Sequence, residues 1–229
     1  MTPLSGQQLP LRIGLRDSVT FANFYPGPNA AVVHLLQSAH EPFLYLGGPR
    51  GCGRSHLLQA ACHAMSEAGA QAAYLPLEEC MAMGPQMLEG MEQMALLALD
   101  DVERLAGNAQ WEQALFHLYN RMRDAGHRLV VAGNAPPAAL GIVLPDLLSR
   151  LGWGPVFQLQ PLGDGEKAAA LRLRARLRGM ELPGEVADYL LNHASREMHD
   201  LIALLERLDT GSLAAQRKLT IPFVRTFIP

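Results

Sequence analysis

Cysteine is scarce in this chain of 229 residues: three occur, Cys52, Cys62 and Cys80, and no two form a CxxC pair. An odd number without framework spacing excludes a disulfide scaffold and suits a reducing cytosol. Long hydrophobic runs are missing as well. Nothing approaches the ~20 apolar residues of a membrane helix. No basic segment followed by an apolar stretch opens the chain, so no signal peptide is expected. An excess of positive charge is absent too: 19 Lys and Arg face 22 Asp and Glu, a formal charge of −3. A domain whose main work is gripping DNA is usually strongly basic, and this balance argues against one without excluding a local patch. His56, His63, His193 and His199 lack metal-ligand spacing. There is no internal repeat and no low-complexity segment.

What is present is a core. Hydrophobic residues make up 49% of the chain, and a chain of this length buries roughly 70% of its unfolded surface without metal or disulfides. That is enough for one large domain or two small ones. Residues 1–19 read as an extended arm broken by Pro3, Pro10 and Gly14. The aromatic cluster "TFANFYPGPN" follows, and then alternation begins. "PFLYLGG", "AAYLPL", "MALLALDD", "RLVVAGN" and "PVFQLQPL" read as five buried strands. Helices are expected between them at 55–68, 78–91 (Met-rich), 111–125 and 144–151. Strands alternating with helices imply an α/β fold with a parallel sheet covered on both faces. After Pro161 only helices are expected, at 166–178, 184–195, 198–208 and 221–227. A boundary near 163–165 therefore separates an α/β domain over 20–163 from a helical lid over 164–229. In "LRLRARLRG", Arg172, Arg174, Arg176 and Arg178 surround a helix whose Leu173 and Leu177 are expected to face inward, a solvated helix rather than a nucleic-acid stripe.

Gly48-Pro49-Arg50-Gly51-Cys52-Gly53-Arg54-Ser55 fits the P-loop pattern G-x-x-x-x-G-[K/R]-[ST]. Small residues let several backbone N–H groups point at one phosphate, and the helix that follows adds its positive end. The Ser55 hydroxyl is placed to meet Mg²⁺. An apolar strand runs in and an amphipathic helix runs out, which favours a phosphate site over a bare tight turn. Arg54 departs from the usual lysine. A forked guanidinium replaces a compact point charge, and the two are not interchangeable; it still neutralises phosphate through paired hydrogen bonds. Nucleotide binding is expected to survive and self-catalysed hydrolysis to be poor. Cys52 reads as a small loop residue whose modification would obstruct phosphate.

"LLALDD" puts Asp100 and Asp101 at the carboxyl end of a buried strand, where ligands of open α/β sheets bind. Asp100 suits a water-mediated hold on Mg²⁺ and Asp101 an attacking water; a plain helix cap is the alternative. Asn134, ending the next strand, reads either as a contact to a γ-phosphate or as a turn residue before Pro136. Arg150, in "DLLSRL", is either a solvated helix residue or an arginine finger offered to a neighbouring subunit. Arg196, in "SREMHDL", either reaches the phosphates or caps a helix.

Taken in order, "TFANFYPGPN", "GCGRSHLLQA", "LALDD", "WEQALFHLYNRM", "LPDLLSRLGWG", "LRARLRG", "SREM" and "QRKLTIPFV" resemble the AAA+ family, specifically the DnaA-related Hda group. The resemblance covers nearly the whole chain. It implies an AAA+ P-loop sheet with a helical lid and ADP or ATP, with Mg²⁺, in the cleft between them. Asp100 and Asp101 would be the Walker B acids, Asn134 sensor 1, Arg150 the finger and Arg196 sensor 2. Phe24, Tyr25 and Asn29 would lie near the adenine, with Gly48, Gly51, Cys52, Gly53, Arg54, Ser55 and His56 around the phosphates. "QLPLRI" resembles that group's clamp-binding peptide. Gln8, Leu9, Leu11 and Ile13 would lie in an apolar groove of the replicative sliding clamp, as an extended segment can. Initiators of the family also carry a helix-turn-helix domain, and none is expected before Pro229.

The implied function is regulation of chromosome replication. The nucleotide-bound chain, with ADP the expected occupant, docks on the DNA-loaded clamp and promotes hydrolysis of ATP held by a DnaA-type initiator. A cytoplasmic protein that assembles with copies of itself and touches DNA mainly indirectly is implied. An autonomous ATPase, such as a helicase loader or DNA-remodelling motor, and a pure adaptor are the other readings.

Overall fold

The computed structural model describes residues 19–215 and 217–228. The expected clamp-binding residues Gln8, Leu9, Leu11 and Ile13 lie outside the described residues. Five strands, β1 (Phe43–Gly47), β2 (Ala72–Pro76), β3 (Leu96–Asp100), β4 (Arg128–Gly133) and β5 (Val156–Gln158), form one sheet in the order β2-β3-β4-β1-β5. Every pairing is parallel. Helices α1 (Ala30–Ser38), α2 (Arg54–Glu67), α4 (Ala109–Asp124) and α5 (Pro145–Leu151) cover its two faces, and a single-turn α3 (Leu77–Cys80) follows β2.

The strands are apolar on both sides because both faces are covered. Along β4, Leu129 and Val131 enter one cluster with Trp111, Leu115, Leu118 and Met122 of α4. Val130 and Ala132 enter the other, with Leu57, Leu58 and Ala61 of α2. The same alternation sends Leu96 and Ala98 of β3 toward α2, and two-residue periodicity directs Asp100 to that same face. Arg128, 6% exposed, ties the start of β4 to α1, donating to the carbonyls of Leu36 at 3.0 Å, Leu35 at 3.3 Å and Glu41 at 3.0 Å.

Beyond the sheet, α6 (Asp164–Leu177), α7 (Gly184–His193), α8 (Met198–Ala215) and a short α9 (Ile221–Val224) build a helical lid. Leu171, Val186, Leu190, Leu205 and Leu208 anchor its own buried cluster. The Glu166 carboxylate caps the start of α6 by accepting the Gly163 N–H at 2.8 Å. Among the described residues, no helix is long and apolar enough to cross a membrane.

Three expectations need correction. The helix over 78–91 is instead α3 followed by 3₁₀ turns at Met81–Met83, Pro85–Leu88 and Met91–Gln93. Gly84 (φ 82°) before Pro85, and Gly90 (φ 80°), break it. The third strand ends at Asp100 rather than Asp101, because Asp101 turns into the left-handed region at φ 56°. On α6 the inward face is Leu171, Arg174 and Ala175, while Leu177 is 53% exposed. Charge alone suggests that Arg174 faces water, yet it is 8% exposed.

Candidate functional site

The loop after β1 runs directly into α2, which begins at Arg54. Gly51 (φ 81°) and Gly53 (φ 104°) adopt backbone that side chains rarely tolerate. A Cβ on Gly53 would stand 2.6 Å from the Phe24 ring, and one on Gly51 would stand 2.9 Å from the Glu197 carboxylate. The aromatic segment thus closes one side of the loop and the turn between α7 and α8 closes another. Cys52 is 4% exposed, and burial pushes its thiol above the ordinary range.

Arg54 is 8% exposed. Its guanidinium lies 3.5 Å from Asp101 and 3.8 Å from Glu103, and its Nη1 is buried without a hydrogen-bond partner. Glu103 also accepts the Asn134 backbone N–H at 3.1 Å. One carboxylate therefore links the P-loop arginine, the turn after β3 and the tip of β4. Because β4 lies between β3 and β1, the exposed Asn134 follows the strand that separates Asp100 from Gly48. Burial pushes the Asp101 carboxyl up to about 6; Asp100 and Glu103 add to the effect and Arg54 opposes it.

Asp100 is 1% exposed. Its Oδ1 accepts the Asp101 N–H at 3.0 Å and its Oδ2 accepts the Tyr74 hydroxyl at 2.9 Å. The Ser55 and Gln59 side chains lie beside the same phenol. The Tyr74 phenol thus stands beside both Ser55 and Asp100. Both are hard oxygen donors of the kind Mg²⁺ takes alongside water and phosphate, so the residues fit that ion.

His56, on the first turn of α2, joins three parts of the chain. Its Nε2 lies 2.9 Å from the Thr20 carbonyl and its Nδ1 lies 3.1 Å from Arg174 of the lid. Burial lowers its pKa to about 4, so the ring is neutral, donating through Nε2 and accepting at Nδ1. Phe24 packs on it with ring centroids 5.1 Å apart. Asn29, 5% exposed, uses both ends of its amide on the Gln160 backbone, at 2.9 and 2.8 Å. It shapes the wall of the cleft instead of presenting a free polar group. Tyr25 borders a groove of about 690 Å³ shared with Arg172, Arg176 and Met180. Arg196 is exposed in the turn between α7 and α8, and its carbonyl accepts Lys167 Nζ at 2.9 Å.

Arg150 lies apart from this constellation. It lines a small cavity with Phe43 and Leu44, at the opposite end of β1 from the phosphate loop. Its guanidinium sits 4.6 Å from the Trp153 ring and 6.0 Å from the rings of Phe116 and Tyr119. The 1%-exposed Glu112 anchors the start of α5, accepting the N–H groups of Gly107 at 2.8 Å, Val143 at 3.0 Å and Leu144 at 2.7 Å.

The structure therefore brings Gly48 to Ser55, Asp100, Asp101 and Asn134 together and leaves Arg150 elsewhere. Sequence reasoning missed Glu103, Glu112, Glu197, Tyr74 and Arg174. For Glu103 a signal existed, a third acid just after "LDD"; for the others the partners lie far away in the chain.

A family model described as the bacterial DnaA ATPase domain matches residues 15–158, and one described as the lid domain of Hda matches residues 164–228. Domain III of the Thermotoga maritima replication initiation protein DnaA superposes with a TM-score of 0.77 at 22% identity, over 93% of this chain and 97% of that one. AMPPCP-bound DnaA from Aquifex aeolicus gives 0.70 at 22% identity, over 87% of this chain and 68% of that one. A Thermotoga maritima RuvB variant gives 0.62 at 16% identity, over 89% and 67%. At these identities the solved structures speak for the fold, a P-loop sheet with a helical lid; the family matches say more, and by them the chain belongs to the DnaA-related AAA+ proteins of the Hda family.

Proposed function

We propose that this protein restrains chromosome replication by completing the active site of a partner. In this reading the Gly48–Ser55 loop holds a nucleoside diphosphate, expected to be ADP. Phe24, Tyr25, His56 and Arg196 line its surroundings. Mg²⁺, when bound, would be held by Ser55 directly and by Asp100 through water, and would screen phosphate charge. Residues 1–19 form an arm whose Gln8, Leu9, Leu11 and Ile13 dock on a sliding clamp loaded on DNA. Arg150 then enters the site of an ATP-bound, DnaA-type initiator and stabilises charge on the transferring phosphoryl group.

The observation that carries this reading is the separation of the two arginines along β1. Five residues at ~3.3 Å each put the ends of that strand on the order of 15 Å apart. Arg150, beside Phe43, cannot attend the phosphates of its own loop after Gly47 and is available to another molecule's. Arg54 is already engaged with Asp101 and Glu103, which supports weak self-hydrolysis.

A reconstituted assay of initiator-bound ATP, with and without loaded clamp, tests the reading. Accelerated hydrolysis requiring clamp, this protein and Arg150 is the expected result; hydrolysis indifferent to this protein would end it. The autonomous-ATPase reading has one observation in its favour, the grouping of Asp100, Asp101 and Asn134 around the loop. Strong turnover by the purified chain alone would select it.

A further inference from the structure

We infer that Trp153 is a positioning residue for Arg150, an aromatic dock that presents the guanidinium while leaving its charge unpaired. The inference rests on the reading of Arg150 as a finger. The other arginines shielded from water find polar partners: Arg54 faces two acids, Arg178 reaches Glu206 at 2.6 Å, Arg128 donates to three carbonyls and Arg174 to the His56 ring. Among the described residues, Arg150 has no ion pair and no side-chain hydrogen bond, and its Nε is buried without a partner. What surrounds it instead is ring. Trp153 is the nearest, at 4.6 Å, with Phe116 and Tyr119 at 6.0 Å.

The chemistry differs from that of an ion pair. A carboxylate would neutralise the guanidinium and would have to be displaced before it met a phosphoryl group. A ring face holds the cation through its quadrupole and leaves the full positive charge. Trp153 is 59% exposed, so the docked cation stands at the surface. Arg123 also lies over this ring, at 5.9 Å, but pairs with Asp124 at 3.0 Å; the uncompensated charge is that of Arg150. Behind the dock, the Tyr119 ring stacks on Phe43 with centroids 4.1 Å apart, which fixes the box to the start of β1. The ligand that fits the presented group is the polyphosphate of a nucleotide held by a second protein.

The test uses the full chain and three variants: Trp153→Phe, Trp153→Leu and Arg150→Ala. Stimulated hydrolysis of initiator-bound ATP is separated into maximal rate and half-saturating concentration. Expected is a loss of about tenfold in maximal rate for Trp153→Leu, with little change in half-saturation, and recovery to within about twofold for Trp153→Phe. The second readout needs no partner. Of the two tryptophans, Trp111 is buried and Trp153 exposed, so acrylamide-quenchable emission reports Trp153, and Arg150→Ala should shift it. Full activity of Trp153→Leu overturns the inference, as does equal damage from Trp153→Phe or unchanged emission in Arg150→Ala. If Arg150→Ala shifts the emission yet leaves stimulation intact, the finger reading itself fails and the presenting role falls with it. Should Trp153→Leu not fold, the Phe variant and the emission shift still decide.

Discussion

Two arginines mark the two ends of one strand, and they are held by opposite means. Beyond the carboxyl end of β1, Arg54 is enclosed by Asp101 and Glu103. Beside its amino end, Arg150 rests on Trp153, Phe116 and Tyr119, with no ion pair among the described residues. The first arrangement consumes positive charge inside the molecule; the second conserves it at the surface. One sequence thus holds the same residue type against acids at one end of the strand and against rings at the other.

The sharpest way to break this contrast is to remove each guanidinium in turn. Arg150→Ala should cut stimulated hydrolysis of initiator-bound ATP by ~10³-fold or more, with nucleotide retention by the variant unchanged in a filter assay. Loss of retention instead would mean that Arg150 serves its own cleft. Arg54→Ala should do the reverse, weakening nucleotide binding by about 10–100-fold because a charge-assisted contact to phosphate is lost; calorimetric titration with ADP measures this. Smaller effects sharpen the acid side. Glu103→Gln keeps the shape but removes one charge facing Arg54, and should cost about 1 kcal/mol in urea unfolding.

The smallest effect is a pH dependence. The Asp101 carboxyl ordinarily titrates near 3.8 and is raised to about 6 in the fold. Between those values the folded chain binds more protons than the unfolded one. Stability therefore falls as pH rises through that window, and the cost is complete above about pH 6. Asp101→Asn should flatten thermal stability between pH 4 and 6 and raise the neutral-pH Tm by about 2 °C. A variant with the same slope as the parent would assign the titration to another group.

The loop end of β1 was legible in the sequence, and the aromatic end was not. Gly48 to Ser55, Asp100 and Asn134 announce themselves because each ends an apolar run, and sheet order then gathers strand ends automatically. Arg150 was legible as a candidate finger, but its aromatic surroundings were not, since Phe116 and Tyr119 belong to α4. Local pattern also misplaced Arg174: hydrophobicity assigns leucines inward and arginines outward, and it cannot anticipate that a neutral imidazole 118 residues away accepts the guanidinium. The Met-rich stretch failed for the opposite reason. Its composition favours a helix, but Gly84-Pro85 and Gly90 outweigh propensity locally.

The His56 ring behaves as a rivet through three plates. It fastens the first turn after the Gly48–Ser55 loop, the lid helix carrying Arg174, and the carbonyl of Thr20. A displacement of the loop by a fraction of an ångström is therefore passed to the lid helix and to the Thr20 backbone through one ring. Loop position and lid position become one mechanical variable.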